Sequence, residues 1–253
     1  MKTVINWKSF FVLLSLSLLS IICVFPYVLT IQGELLRQIG QPIWLIFVAQ
    51  LVQSLVLFSI VIFFGLFFTK KVGLGLPLIE SILEKRNPLT VLKTISGKSI
   101  LLGIAVAIII YLVDSLFTIQ GAILSTHQNY APIWQKLLAA LYGGTTEEIL
   151  MRLFLMTFFI WIGTKLFKQN QASKLNIIIS IFLAAVIFGL GHLPITASLT
   201  KITPLIIGRA IILNGIGGVV FGWLFWKKGL ESAMIAHFTT DVVLLTLLPL
   251  LFS

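Results

Sequence analysis

A chain of 253 residues with 58% hydrophobic residues, 10% charged residues and a net charge of +10 excludes a water-soluble globule. Its apolar runs approach or exceed about 20 residues, the length that crosses a hydrocarbon core. The lysines and arginines lie in the short stretches between those runs and form no aromatic-basic surface, which excludes nucleic acid as a partner and makes the lipid bilayer the expected one.

The expected fold class is all-α: a polytopic transmembrane helical bundle of about seven spans with short interfacial or re-entrant helices. No run alternates at the short period of an outer-membrane barrel. The spans fall at about 10–29, 43–68, 100–124, 146–162, 177–193, 205–226 and 230–252. Lys2 and Lys8 ahead of the first span superficially resemble a signal peptide, but the run is too long and lacks a small-residue cleavage site, so a retained helix is expected. The single cysteine, Cys23, lies in that run; it excludes an intramolecular disulfide and reads as a buried apolar thiol.

Residues 73–98 form the longest polar connection. Within it Leu78, Ile79, Ile82 and Leu83 recur at helical spacing beside Glu80, Glu84, Lys85 and Arg86, which predicts a short interfacial helix. Lys70, Lys71, Lys85, Arg86, Lys93 and Lys98 fill one inter-helix stretch, Lys165, Lys168 and Lys174 a second, and Lys227 and Lys228 a third. Only Arg37, Lys136 and Lys201 fall in the alternate loops, so the positive-inside rule predicts an N-in, C-out topology.

The fourth span carries the most informative segment, Thr145-Thr146-Glu147-Glu148-Ile149-Leu150-Met151-Arg152. A charge near the bilayer centre costs about 2.5–3.5 kcal/mol, so three ionisable groups within six positions call for a functional explanation. Gly143 and Gly144 are expected to break the helix, with a short helix over about 132–142 and a new one from Thr146. Thr145, three residues before Glu148, has the spacing of a capping box. Glu148 and Arg152 are four apart and share a helix face, so they can neutralise each other. Glu147 is rotated by about 100° from Glu148 and is left without that cation, as a general base for water activation would be.

Two further polar groups interrupt later spans. Phe188-Gly189-Leu190-Gly191-His192 ends the fifth, with Phe188 and His192 on one face; His192 is placed either to hold Glu147 or a water, or to bond a helix-end carbonyl. His237 and Asp241 in the last span are four apart, deep in apolar sequence, and read either as a site or as a packing pair. His127 falls in a loop and reads as solvated. Arg209, Asn214 and Asp114 are isolated polar groups in the third and sixth spans; Arg209 is expected to snorkel to a headgroup.

Glu-Glu-x-x-x-Arg, then Phe-x-x-x-His, then His-x-x-x-Asp on three spans resembles the CAAX protease and bacteriocin-processing family, which includes the Ras-converting CAAX prenyl endopeptidases. The resemblance covers about residues 131–250. It divides the chain into an N-terminal part, 1–130, of transmembrane helices and a cytoplasmic connection without family signature, and a protease-like core, 131–253. It implies an intramembrane glutamic-type endopeptidase acting on a membrane-associated protein or peptide precursor. The implied catalytic residues are Glu147 activating water, His192 orienting it, and His237 with Asp241 at the oxyanion. Glu148 and Arg152 would be a supporting pair. Asp241 stands where the Ras-converting members carry asparagine, and a carboxylate donates to an oxyanion only when protonated. The resemblance implies no cofactor; two histidines and two carboxylates would also suit zinc, although no H-E-x-x-H is present. Eukaryotic relatives open to the cytosol. The short loops suggest a bacterial protein of the cell membrane. The family also contains members linked to bacteriocin self-immunity, so a non-proteolytic immunity or scaffold role is the alternative. A proton-coupled transporter is a further one, without visible inverted repeats. On straight helices in this topology, His237 would lie about 10 Å short of Glu147 and His192.

Overall fold

The computed structural model describes residues 5–119 and 131–251, and His127 lies outside them. Among the described residues there is no strand. The chain runs through α1 (Trp7–Gln38), α2 (Ile43–Val72), the short α3 (Pro77–Leu83) and α4 (Pro88–Ile119). It continues through α5 (Ile133–Leu166), α6 (Lys174–Gly191), the short α7 (Leu193–Leu199), α8 (Pro204–Lys228) and α9 (Leu230–Leu251). Seven of these helices are long and apolar enough to cross a membrane, and the protein is a multi-pass membrane protein. Outward-facing side chains such as Phe11, Leu101, Leu112 and Leu175 are apolar and exposed, as a lipid-facing surface requires. Trp7, Trp44 and Trp134 open α1, α2 and α5, and Trp226 closes α8, at the levels where aromatic residues anchor helices to the interface.

The spans are longer than the apolar runs. α4 begins at Pro88 rather than near residue 100, because its first turns bury Ile95 and Ser99 inward while Lys93 and Lys98 point away. Lys98 lies with its ammonium 4.6 Å from the Trp223 ring. The interfacial helix expected around 78–83 forms as α3. It is tied down rather than loose: the buried Glu231 at the start of α9 accepts the Ile79 N–H at 2.8 Å, and the Leu230 N–H donates to the Gly75 carbonyl at 3.2 Å.

The expected break at Gly143-Gly144 does not occur. α5 passes through both glycines as one helix, widened to π geometry over Gly143–Glu147 and again over Ile149–Met156. No capping box forms, and Thr145 caps nothing. In a membrane a glycine is retained for close packing as readily as for breaking a helix. A Cβ on Gly144 would stand 2.8 Å from Phe238 Cβ and 2.9 Å from the Met234 carbonyl oxygen, so the bare backbone is what lets α9 lie against α5. π turns insert an extra residue into a helix and recur at functional sites; here they bracket Glu147 and Glu148.

This correction also removes the depth mismatch. Glu147 is fourteen residues into a 34-residue helix, about 21 Å along it, not at the start of a short one. His237 is seven residues into α9 from the opposite end, and the two meet near mid-bundle. Arg209 does not snorkel: its guanidinium makes a two-pronged pair with Asp114 of α4, Nε to Oδ1 at 2.6 Å and Nη2 to Oδ2 at 2.8 Å.

Candidate active site

The charged residues of α5 divide between two environments. Glu148 is fully buried and Arg152 is 2% exposed, and Arg152 Nη1 lies 3.1 Å from Glu148 Oε1. Arg152 Nη2 donates to the Gly218 carbonyl at 3.3 Å. The guanidinium also lies 5.1 Å from the Phe188 ring and 5.5 Å from the Phe221 ring. Gly218 matters to this arrangement, since a Cβ there would meet Ala185 Cβ at 2.8 Å and push α8 off α6. A charge this deep is tolerated only when paired and bonded, and Arg152 has a carboxylate, a carbonyl and two aromatic faces.

His237 builds on that floor. Its Nδ1 donates to Glu148 Oε1 at 2.7 Å, and its ring stacks on Phe221 with centroids 4.7 Å apart. Glu148 therefore anchors the histidine as well as the arginine. The Nε2 edge faces the other two carboxylates: Glu147 Oε2 at 3.8 Å and Asp241 Oδ2 at 3.6 Å. Both separations exceed a direct hydrogen bond, so Nε2 is left for an oxygen arriving from the cavity. Asp241 does not hold the same nitrogen as Glu148; the two carboxylates sit at opposite edges of the ring. The Glu147 and Asp241 side chains are 24% and 23% exposed, against 0% for Glu148, so these two carboxylates face open space.

That space is a cavity of about 820 Å³ lined by Glu147, His192, His237 and Asp241, with Tyr27, Tyr142 and Asn214 nearby. His192 follows the last residue of α6 and its Nδ1 donates to the Phe188 carbonyl at 2.9 Å, which turns Nε2 toward other partners. Among the described residues no hydrogen bond or ion pair joins His192 to Glu147; the two share the cavity wall and the Phe188 side chain, whose ring meets both histidine rings edge-on. Among the described residues no three His, Cys, Asp or Glu side chains converge as metal ligands would.

Gly143 keeps the cavity floor open. It stands one turn before Glu147, and a Cβ there would strike Asp241 Oδ2 and come within 3.3 Å of His237 Nε2. Gly143→Ala is expected to displace both groups. Overpacking of this kind costs about 1–3 kcal/mol, so turnover should fall about ten- to a hundredfold while the protein still accumulates in the membrane. A kinetic comparison of purified Gly143→Ala with wild type checks this, and unchanged turnover would contradict the assigned geometry.

Residues 129–243 match the family described as type II CAAX prenyl endopeptidase Rce1-like. Over this segment the chain is similar to the Rce1-like family. No curated protein and no solved structure matches the chain. All six sequence-predicted site residues fall inside the Rce1-like segment, and the fold brings five of them into one connected cluster with His192 across the cavity. What sequence reasoning missed lies partly outside the segment: Tyr27 and Gln32 of α1 and Gln50 and Gln53 of α2 complete the cavity wall. The signal was present, since Gln50 and Gln53 are three apart in an otherwise apolar helix and share a face. Ser20 of α1 also hydrogen-bonds Thr146, the residue next to Glu147. Phe221, the stacking partner of His237, carried no signal among twenty phenylalanines.

Proposed function

We propose that the protein is an intramembrane endopeptidase of the CAAX type that hydrolyses a peptide bond of a membrane-associated protein or peptide, with Glu147 as the base. The similarity of residues 129–243 to the Rce1-like family supports a protease of this kind. The observation that carries the glutamate mechanism is the division of labour within Glu147-Glu148: one carboxylate is buried against Arg152 and His237, and its neighbour faces the cavity.

In this scheme Glu147 takes a proton from a water whose oxygen attacks the peptide carbonyl carbon. His192 Nε2 accepts from the same water, its Nδ1 being committed to Phe188. The carbonyl oxygen becomes an oxyanion beside His237, whose Nε2 donates when the ring carries its second proton. The Glu148 carboxylate favours that ring orientation and charge. The tetrahedral intermediate collapses with cleavage of the C–N bond, and the proton held by Glu147 passes to the leaving amine. The products are a carboxylate and an amine, and water is the only co-reactant.

Asp241 has a distinguishable role in this scheme. Held at 3.6 Å from His237 Nε2, it adds a donor to the oxyanion only in its protonated form. Asp241→Asn supplies an amide donor at the same place and is expected to keep turnover within about tenfold of wild type. Asp241→Ala removes the group, and loss of one oxyanion donor costs about 10²–10³ in rate. Equal loss in both variants would remove Asp241 from the oxyanion site.

The reading as a whole is tested with protein purified in detergent and a panel of quenched fluorescent peptides, with and without a prenyl group. Cleavage by wild type that persists in EDTA and is lost in His192→Ala is the expected result. Cleavage abolished by EDTA would replace the scheme with a metal-dependent one, and absence of cleavage across the panel would count against the endopeptidase.

A further inference from the structure

The cavity occupies one half of the bundle's thickness, and that half is the one away from the basic loops. The long helices that line it do so toward the same end, α8 only through Asn214 near its middle. α1 contributes from Ile21 to Leu36, two residues short of its last residue; α2 contributes from Ile46, three residues after its first. α5 contributes from Ala139 to Met151, α6 from Ile187 to Gly191, and α9 the stretch from His237 to Leu245. The outer rim consists of Gln32, Leu36, Ile46, Gln50, Ile195 and Leu199.

Toward the opposite end the cavity is closed. Beneath the Glu148–Arg152 pair lie Leu153, Met156, Phe221, Leu224 and Phe225, each 1% exposed or less.

The two ends differ in charge as sharply as in access. Among the described residues twelve lysines and arginines lie at the closed end: Lys8, the cluster from Lys70 to Lys98, that from Lys165 to Lys174, and the Lys227-Lys228 pair. The open end has Arg37, Lys136 and Lys201, and residues 120–130 carry no lysine or arginine. An imbalance of this size in short loops sets orientation with the basic end in the cytoplasm. The amides along the cavity wall mark the vestibule as water-filled. An amide facing hydrocarbon forfeits its hydrogen bonds, whereas Gln32, Gln50 and Gln53 facing a water-filled vestibule keep theirs.

We infer that the cavity opens on the non-cytoplasmic face of the membrane, so that the protein acts on a peptide presented from that face. The substrate part of this statement rests on the endopeptidase reading; the direction of opening does not. The chemical class that follows is a translocated peptide, or the non-cytoplasmic segment of a membrane-anchored protein, rather than a soluble prenylated protein of the cytosol, the case implied by the cytosol-facing relatives. Gln50 and Gln53 are the residues assigned to the vestibule through which that chain enters.

A single-cysteine series tests the direction without requiring turnover. In the full chain with Cys23→Ser, one cysteine is introduced as Gln53→Cys in the cavity, as Lys201→Cys at the open end or as Lys93→Cys at the closed end. Right-side-out and inside-out vesicles from bacterial cells expressing each variant are treated with a membrane-impermeant methanethiosulfonate. Gln53→Cys and Lys201→Cys should be modified in right-side-out vesicles only, and Lys93→Cys in inside-out vesicles only. Gln50→Cys serves if Gln53→Cys does not accumulate. Modification of the cavity cysteine from the inside-out face, from both faces or from neither, with the references behaving as expected, overturns the inference. The substrate clause has its own reading: peptide added outside right-side-out vesicles should be cleaved by wild type. Labelling from outside without cleavage there would leave the direction standing and overturn the substrate clause.

Discussion

Glu147→Gln should lower the single-turnover rate of peptide cleavage by about 10²–10⁴, the range lost when a positioned general base is removed, with little change in thermal stability. The substitution keeps the shape of the side chain and removes only its capacity to take a proton. Its structural tolerance follows from the site: the Glu147 carboxylate faces the cavity, and its nearest charged partner, His237 Nε2, is 3.8 Å away, so no short buried ion pair is severed. Rate and melting midpoint measured on the same detergent preparation separate the two effects. A variant that loses stability in proportion to activity would show Glu147 to be part of the packing instead.

Glu148 and Arg152 should behave in the opposite way. Arg152→Met leaves Glu148 buried with His237 as its remaining partner, and breaking a buried pair from one side costs about 3–5 kcal/mol. That is a large share of a folding margin of about 5–15 kcal/mol, so Arg152→Met should melt markedly lower and accumulate poorly. Replacing both charges together, as Glu148→Leu with Arg152→Met, removes the unpaired charge and should recover most of that stability. Activity should not return with it, because Glu148 Oε1 is also the acceptor for His237 Nδ1 at 2.7 Å. Stability restored without turnover is the signature of a group that holds the site by orienting His237. Recovery of both would reduce the pair to helix packing.

The architecture was legible because a bilayer imposes simple rules on a sequence. Seven apolar runs of spanning length became seven spanning helices, and the helix over Pro77–Leu83 was visible in the spacing of its apolar residues among charges. Helix ends were less legible: α1 and α4 extend well past their apolar runs, because helix geometry continues wherever one face still packs. The Gly143-Gly144 pair was misread for a physical reason. Glycine carries the same low helix propensity in either role, and only the partner helix decides whether it breaks a helix or admits a neighbour. The sequence contains no local sign that Phe238 and Met234 of α9 would press against that point.

The residues gathered at the candidate site could be picked out from the sequence, but not how they are wired together. Glu148 and Arg152 were paired by their four-residue spacing, and the pair is present. The bond between Glu148 and His237 joins residues 89 apart, and the Arg209–Asp114 pair joins residues 95 apart. Neither has a periodic signature, and each is settled by which helices pack together. The contribution of α1 and α2 was hidden for a related reason. The Rce1-like match begins at residue 129, whereas the wall that faces Glu147 across the cavity comes from helices before it.

The claim that Glu147 drives hydrolysis of a peptide bond is tested most directly by incubating the wild-type protein and Glu147→Gln, each in lipid nanodiscs, with the same membrane-tethered peptides in H₂¹⁸O, and reading the products by mass spectrometry. The account predicts a new peptide carboxylate carrying one ¹⁸O from the wild-type protein and none above background from Glu147→Gln. Equal product from both proteins, or cleavage without ¹⁸O at the new carboxylate, would contradict it.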